Sequence, residues 1–368
     1  MRIQSKQSLV LILLLLFAVT AAARKRDYPA TEWGLRIAVG AIYNDNLLRF
    51  SDADLERFFE FDDRFATPIE TVDDFETEYS IRPSFRWRAP LNLMVDGYYN
   101  LKAVLRSSNS FTDYQTHTLS ASVRPRVRGY RWSFQYRAFR IPSYYLRVYR
   151  DRDYNEQHAA RFMNWDHSAQ FDYRVRSDAW LTFGVGYGTY YYNEKFTEYD
   201  SEYLEASVGA RINLPADVSL SAGYTRRGSD NVGKDQGFTP QFSPESSPFE
   251  EDSEYGDADF NEDEFRLRAR RRLDFVKLTD VDASLSYRLR RRVYTTDRSL
   301  LDDPFHRGRL DNRFEISPSI DIELSRRFDI GIYYLHEERD TESDSEAVIR
   351  AKNFVRREYG MTLSCTVR

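Results

Sequence analysis

Apolar and polar residues alternate with a period of two through most of this chain, most sharply over residues 264–294. Phe265, Leu267, Ala269 and Leu273 fall on one side there, and Arg266, Arg268, Arg270 and Arg272 on the other. After a reversal at residues 276–280 the pattern resumes. Val281, Ala283, Leu285, Tyr287, Leu289 and Val293 oppose Asp282, Ser284, Ser286, Arg288, Arg290 and Arg292. A period of two means a strand, because successive side chains point to opposite faces. A water-soluble sheet with so long an apolar face would need a second apolar layer. Most other periodic segments repeat the same one-layer pattern, so the apolar side is expected to face lipid and the arginine side a wet lumen.

Comparable alternation recurs in segments starting near Trp33, Phe75, Leu91, Tyr114, Trp132, His167, Leu181, Leu204, Val218, Arg313, Ile330 and Phe354. The count comes to about 14 strands, within about two either way. Short turns are expected near Ala89, Gly129, Ser177, Pro215, Lys277 and Phe328, and long connections over residues 44–74, 141–163 and 228–263. In 141–163 the period weakens, leaving strand extension, an external loop and a short helix all open. Residues 52–59 have the composition of a short helix, and Pro83 predicts a bulge or distortion inside its strand. Gly184, Gly186 and Gly188 occupy one face of a strand, where they leave room for bulky neighbours. The expected fold is all-β, a closed antiparallel transmembrane β-barrel of about 14 strands (range about 12–16), with short periplasmic turns and long acidic extracellular loops. Closure leaves no strand edge unsatisfied in lipid.

The N-terminus points to export. Arg2 and Lys6 precede an apolar stretch at residues 9–19, and Ala21, Ala22 and Ala23 offer small residues for cleavage. This predicts a signal peptide over 1–23, a short periplasmic segment over 24–32 and a single barrel domain over 33–368. An anchoring helix is the competing reading, but the apolar run is short for a span. With 53 Lys plus Arg against 58 Asp plus Glu, the formal charge of −5 argues against nucleic acid as a partner. Cys365 is the only cysteine, so neither a disulfide framework nor a thiolate metal cluster is expected. A mean hydropathy of −0.65 suits a barrel, in which only alternate strand residues meet lipid. Among 26 Tyr, 25 Phe and 5 Trp, Trp33, Trp87, Trp132 and Trp180 fall near expected periplasmic strand ends. Interfacial rings belong there; packing inside a soluble sandwich is the alternative.

The segment Gly40-Ala41-Ile42-Tyr43-Asn44-Asp45-Asn46-Leu47-Leu48-Arg49 resembles the end of the first strand in barrels associated with exopolysaccharide or biofilm secretion. More broadly, the alternation resembles bacterial outer-membrane barrels of porin-like type. The resemblance implies a place in the outer membrane, with its lipid and lipopolysaccharide, the barrel-insertion machinery and a secretion-system component as partners. The chain departs from many such barrels in ending Thr366-Val367-Arg368 rather than on an aromatic residue.

Arg266, Arg268, Arg270, Arg272, Arg288, Arg290 and Arg292 make a candidate selectivity wall in the lumen, with Glu315, Asp321 and Glu323 on the next strand as opposing acids. Such a wall orients charged or dipolar solutes and favours anions where the arginines stay unpaired; a structural network in a narrow lumen is the competing reading. In the loop ahead of the hairpin, Glu250, Glu251, Asp252, Glu254, Asp257 and Asp259 offer oxygen ligands for calcium, without the spacing of a strong motif. A solvated or lipopolysaccharide-facing loop is the favoured reading of this segment, and acidic loops of this kind could also fold into the mouth as a constriction. His117, His158, His167, His306 and His336 are scattered and predict no resident metal. The function expected is a porin-like channel for small charged solutes or an exported polysaccharide, and not an enzyme. A non-conducting structural barrel or secretion-complex partner is the alternative, and a membrane-embedded lipid hydrolase pairing a serine with a histidine a minor one.

Overall fold

Fourteen antiparallel strands close into one barrel in which every strand pairs with its sequence neighbours and the first pairs with the last. The computed structural model describes residues 31–60, 69–127, 129–150, 157–233, 257–273, 280–300, 303 and 305–367. The signal-peptide reading over 1–23 and the turn near Lys277 lie outside the described residues. In chain order the strands are β1 (Thr31–Asn44), β2 (Asp74–Ala89), β3 (Leu93–Arg106), β4 (Tyr114–Pro125), β5 (Trp132–Arg150), β6 (Gln157–Arg174) and β7 (Ala179–Tyr192). They continue as β8 (Ser201–Leu214), β9 (Val218–Asn231), β10 (Phe260–Leu273), β11 (Asp280–Tyr294), β12 (Leu310–Glu323), β13 (Phe328–Glu342) and β14 (Phe354–Val367).

The alternation maps onto the wall as the pattern requires. Phe265, Leu267, Leu285, Tyr287, Ile332 and Met361 are exposed on the outside, while their strand neighbours Arg266, Ser286 and Gly360 point inward. An apolar outside over a polar inside is the arrangement of a barrel that crosses a bilayer. Tyr333 and Tyr334, whose order blurs the alternation of β13, separate cleanly. Tyr334 meets the outward Tyr359 at 5.1 Å between ring centroids, and Tyr333 lies inward over Gly360.

Short turns gather at one end. Leu91 and Asn92 have φ of 59° and 57°, and Ala216 and Asp217 have 61° and 56°, the paired left-handed backbone of a tight hairpin whose twist matches the strands.

One expectation is corrected and one is made specific. Residues 141–163 do not form a long loop. β5 and β6 run through them, and the connection is confined to residues 151–156. The period fails because the register slips between Ile141 and Tyr144 and again between Tyr145 and Arg147, the first slip spanning Pro142, which has no backbone donor for the ladder. At Pro83 the expected distortion takes the form of a gap in pairing and not of a bulge. The proline keeps its register opposite Leu35, and the β2–β3 pairing lapses between Ile81 and Ser84 and resumes unshifted.

At the opposite end the first and the last long connections each carry a short helix. Residues 52–59 form the expected helix, α1 (Asp52–Phe59). Ser51 Oγ accepts from the Asp54 amide and Asp54 Oδ2 accepts from the Ser51 amide, both at 3.1 Å, which satisfies two donors that a helix start leaves unpaired. A second helix, α2 (Glu346–Lys352), lies in the last long connection and approaches α1 through Arg350 and Glu56 at 3.6 Å.

Candidate functional site: the lumen

β10 and β11 set the arginine wall by register alone. Arg266 faces Arg288 directly, Glu264 faces Arg290, Glu262 faces Arg292 and Asp282 faces Arg272. Directly opposed like charges destabilise a strand pair, and six of the seven guanidiniums find an acid. Arg270 binds Asp282 at 2.6 and 3.3 Å, and Arg272 binds Asp280. Arg266 reaches back to Glu264 at 2.5 Å. Arg288 binds Glu315 at 2.8 Å, Arg290 binds the same carboxylate, and Arg292 holds Glu262 at 2.8 Å.

Arg268 stands apart: its contact is the Ser284 hydroxyl at 3.5 Å, and no carboxylate among the described residues lies within ion-pair distance. The wall is thereby graded. Arg266 and Arg270, towards the short-turn end, are both 56% exposed to the lumen, whereas Arg290, towards the loops, is largely buried.

Of the three acids anticipated opposite the wall, Glu315 joins it. Asp321 sits in register with Asp282 and Glu323 with Asp280, and neither forms an ion pair with the wall among the described residues. The acids that sequence reasoning missed are Glu262, Glu264, Asp280 and Asp282. The signal for them was present: all four share the inward parity of the hairpin that carries the arginines, and fixing the turn length makes three of them direct cross-strand partners.

The loop end of the lumen holds a denser charge cluster. Glu337 on β13, 1% exposed, receives Arg49 at 3.3 Å and Arg356 at 2.9 Å, and also binds Arg313. Glu76 meets Arg106 at 3.7 Å and takes a hydrogen bond from Asn44 Nδ2 at 3.1 Å. Five residues beyond Arg49, Asp54 binds Arg147 of β5 at 3.3 Å. β13 and β5 are six strands apart around the wall, so the segment from Arg49 to Asp54 ties nearly opposite walls together beneath α1. Burial alone would raise the Asp54 carboxyl, but Arg147 and the Ser51 hydrogen bonds outweigh it and hold it below the usual carboxylate range.

Below this tie the lumen opens into two adjoining cavities of about 400 and 420 Å³. They share Arg137, Ser168 and Gln170. The first sets Arg82 over the Tyr98 ring at 3.6 Å, and the second sets Arg227 over Tyr203 at 4.4 Å. Tyr203 fits because Gly188, its direct cross-strand partner, has no side chain; a Cβ there would lie 2.2 Å from the ring. Glu205 and Ser207 likewise occupy the space over Gly186 and Gly184, as the glycine face predicted.

Trp33 (69% exposed), Trp87 and Trp132 lie on outward positions at the short-turn end. Trp180 differs, having inward register opposite Arg211, with its ring between Arg174 and Arg211, both 5.5 Å away. It lines the inner rim, because its strand parity is that of Thr182 and Gly184. Glu250, Glu251, Asp252 and Glu254 lie outside the described residues. Asp257 and Asp259 are inside them and serve the loop backbone, Asp257 Oδ1 accepting from the Asp259 amide at 3.1 Å and Asp259 Oδ1 from the Asn231 amide at 2.5 Å. His117 bonds Tyr99, His167 bonds Tyr136 and His306 bonds Asp303, at 2.6 to 2.8 Å, and His336 lies 3.7 Å from Glu338.

No protein-family model matches the chain, and no curated protein sequence matches it. Among solved structures it is similar to a bacterial polysaccharide outer membrane secretin, at 10% identity and a TM-score of 0.38 over 91% of this chain and 98% of that one. It is also similar to an anion-selective porin from Comamonas acidovorans, at 8% identity and 0.39 over 91% and 99%. A third, outer-membrane expressed OmpT of Vibrio cholerae, aligns at 7% identity and 0.44 over 94% and 99%.

Proposed function

We propose that this protein is an outer-membrane channel that passes anionic solutes, either small charged molecules or an exported acidic polysaccharide, through its arginine-bearing lumen. The observation that carries the reading is the exposed part of the wall: Arg266, Arg268 and Arg270 are exposed on its inward face, and Arg266 lines the second cavity. Guanidiniums attract carboxylates and phosphates, and Tyr98, Asn100, Thr118 and Gln135 present the rings and hydrogen-bonding groups that suit hydroxyl-rich solutes. The facing carboxylates keep a bound anion from being held too tightly to leave.

Planar-bilayer recording with a series of anions, cations and neutral sugars tests this. The channel is expected to conduct with a preference for anions, and a lumen that conducts with cation preference would overturn the selectivity. A second reading, a non-conducting barrel that serves as a structural or secretion-complex component, is favoured by one observation: the Arg49 to Asp54 tie across the mouth. Absence of current, persisting after that tie is cut, would select it.

A further inference from the structure

A guanidinium on the outside of the barrel pairs with no acid among the described residues. Arg140 on β5 points outward, since its cross-strand partners are His117 on β4 and Trp165 on β6, and Trp165 is exposed on the outer surface. It lies over the Trp165 ring at 4.6 Å and reaches Met163 Sδ at 3.6 Å. Its Nε is buried without a hydrogen-bond partner, and no carboxylate among the described residues pairs with it. Two other outward arginines are neutralised within the protein: Arg226 binds Asp263 at 2.6 Å and Arg357 lies 3.7 Å from Asp45.

Two histidines share the outward face with Arg140. His117 is its direct neighbour, and His167 stacks on Trp165 at 6.2 Å with the planes 14° apart. Each Nδ1 is taken by a tyrosine, His117 by Tyr99 at 2.6 Å and His167 by Tyr136 at 2.7 Å. In the tautomer in which the phenol donates to Nδ1, the ring proton sits on Nε2, for which no partner occurs among the described residues.

Height on the wall fixes what surrounds these donors. Trp132 marks the short-turn edge of β5, and Arg140 is eight residues further along the strand. At about 3.3 Å per residue and a tilt of roughly 40°, that is about 20 Å up a wall whose apolar band is about 25 Å tall. Arg140 therefore stands about 5 Å below the outer edge of the hydrocarbon, close enough for its long side chain to meet the headgroups, and the group that reaches it there belongs to a lipid.

We propose that Arg140, His117 and His167 form an anion clamp on the outer wall that binds a phosphate on the headgroup of an outer-leaflet glycolipid, with Trp165 and Tyr136 packing against the lipid beside it. The clamp is independent of whether the lumen conducts.

Native mass spectrometry of the full-length barrel in detergent, titrated with bisphosphorylated lipid A, tests the clamp. The wild type is expected to retain one lipid A tightly, and Arg140→Gln to weaken that site at least tenfold. Arg226→Gln, at an arginine already paired, is expected to leave it unchanged. Lipid A stripped of its phosphates should bind no better to the wild type than to Arg140→Gln, and inorganic phosphate at millimolar concentration should not displace the intact glycolipid. Heat-modifiable migration on gels reports whether each variant is folded. Should Arg140→Gln fail to fold, the pair His117→Gln and His167→Gln carries the test, with a weakening of several-fold expected. Equal retention by wild type and folded clamp variants would overturn the proposal, as would equal binding of the dephosphorylated lipid. Displacement by free phosphate would make this a site for soluble anions and would also overturn it.

Discussion

Arg147 of β5 holds Asp54 of α1 in an ion pair at 3.3 Å, with both side chains largely buried, and with that contact it fixes the first long connection across the mouth. Breaking one partner of a buried pair strands the other charge, at a cost of roughly 3–5 kcal/mol. Asp54→Asn is therefore expected to free α1 from the wall while the barrel remains closed. The measurement is single-channel conductance together with protease cleavage near α1, and both should increase. Unchanged conductance and unchanged cleavage would mean the pair does not hold the mouth.

The same pair sets a pH response. The fold holds the Asp54 carboxyl below its usual range, so its ionised form is the stabilised one. The contribution is complete above the ordinary aspartate value of about 3.9 and is lost as pH falls through the depressed value. Mouth opening is accordingly expected only below about pH 4, with no change between neutral and mildly acidic buffer. In Asp54→Asn this step should vanish from a conductance titration.

Two arginines of the wall should behave differently when reversed in charge. Among the described residues Arg268 meets a serine hydroxyl and no carboxylate, so Arg268→Glu is expected to shift the ion preference towards cations with little loss of stability. Arg290 is largely buried against Glu315, the carboxylate it shares with Arg288. Arg290→Glu puts a third carboxylate beside Glu315 and Glu264 and is expected to cost several kcal/mol and impair assembly. Reversal potentials in a salt gradient check the first, and thermal unfolding in detergent the second. A stable Arg290→Glu barrel, or an Arg268→Glu channel with unaltered reversal potential, would show that the grading of the wall has been misread.

The barrel was legible because each strand has to satisfy the same two-sided environment, and residues such as Leu267 and Arg268 report that environment without knowledge of their neighbours. The strand order followed from the turns. Pairing across strands was less accessible. Whether Arg290 meets Glu264 or Glu315 depends on register, and a shift of one residue changes every partner. At Pro142 the register does slip, which hid the full length of β5 and β6. Trp180 lies at a strand end, where rings favour the interface, but its parity places it inward. The tie between Arg49, Asp54, Glu337 and Arg147 joins residues far apart in sequence from strands not adjacent in the wall, so no local pattern announces it.

Tyr203 and Gly188 supply the last test, of how tightly the lumen wall is packed. The ring lies against the glycine Cα face and is held there by its hydroxyl donating to Asp166 at 2.7 Å. Gly188→Val would drive a side chain into that ring and is expected to destabilise the barrel by roughly 1–3 kcal/mol, as overpacking does. Tyr203→Ala removes the obstacle, along with a ring that flanks the second cavity. In the double variant Gly188→Val, Tyr203→Ala the valine should therefore cost much less than it does alone, and thermal unfolding of all four proteins gives the coupling directly. Additive losses would place the cost of the valine in the strand itself and not against the tyrosine. Compensation would establish that this glycine is there to seat the ring beneath Arg227.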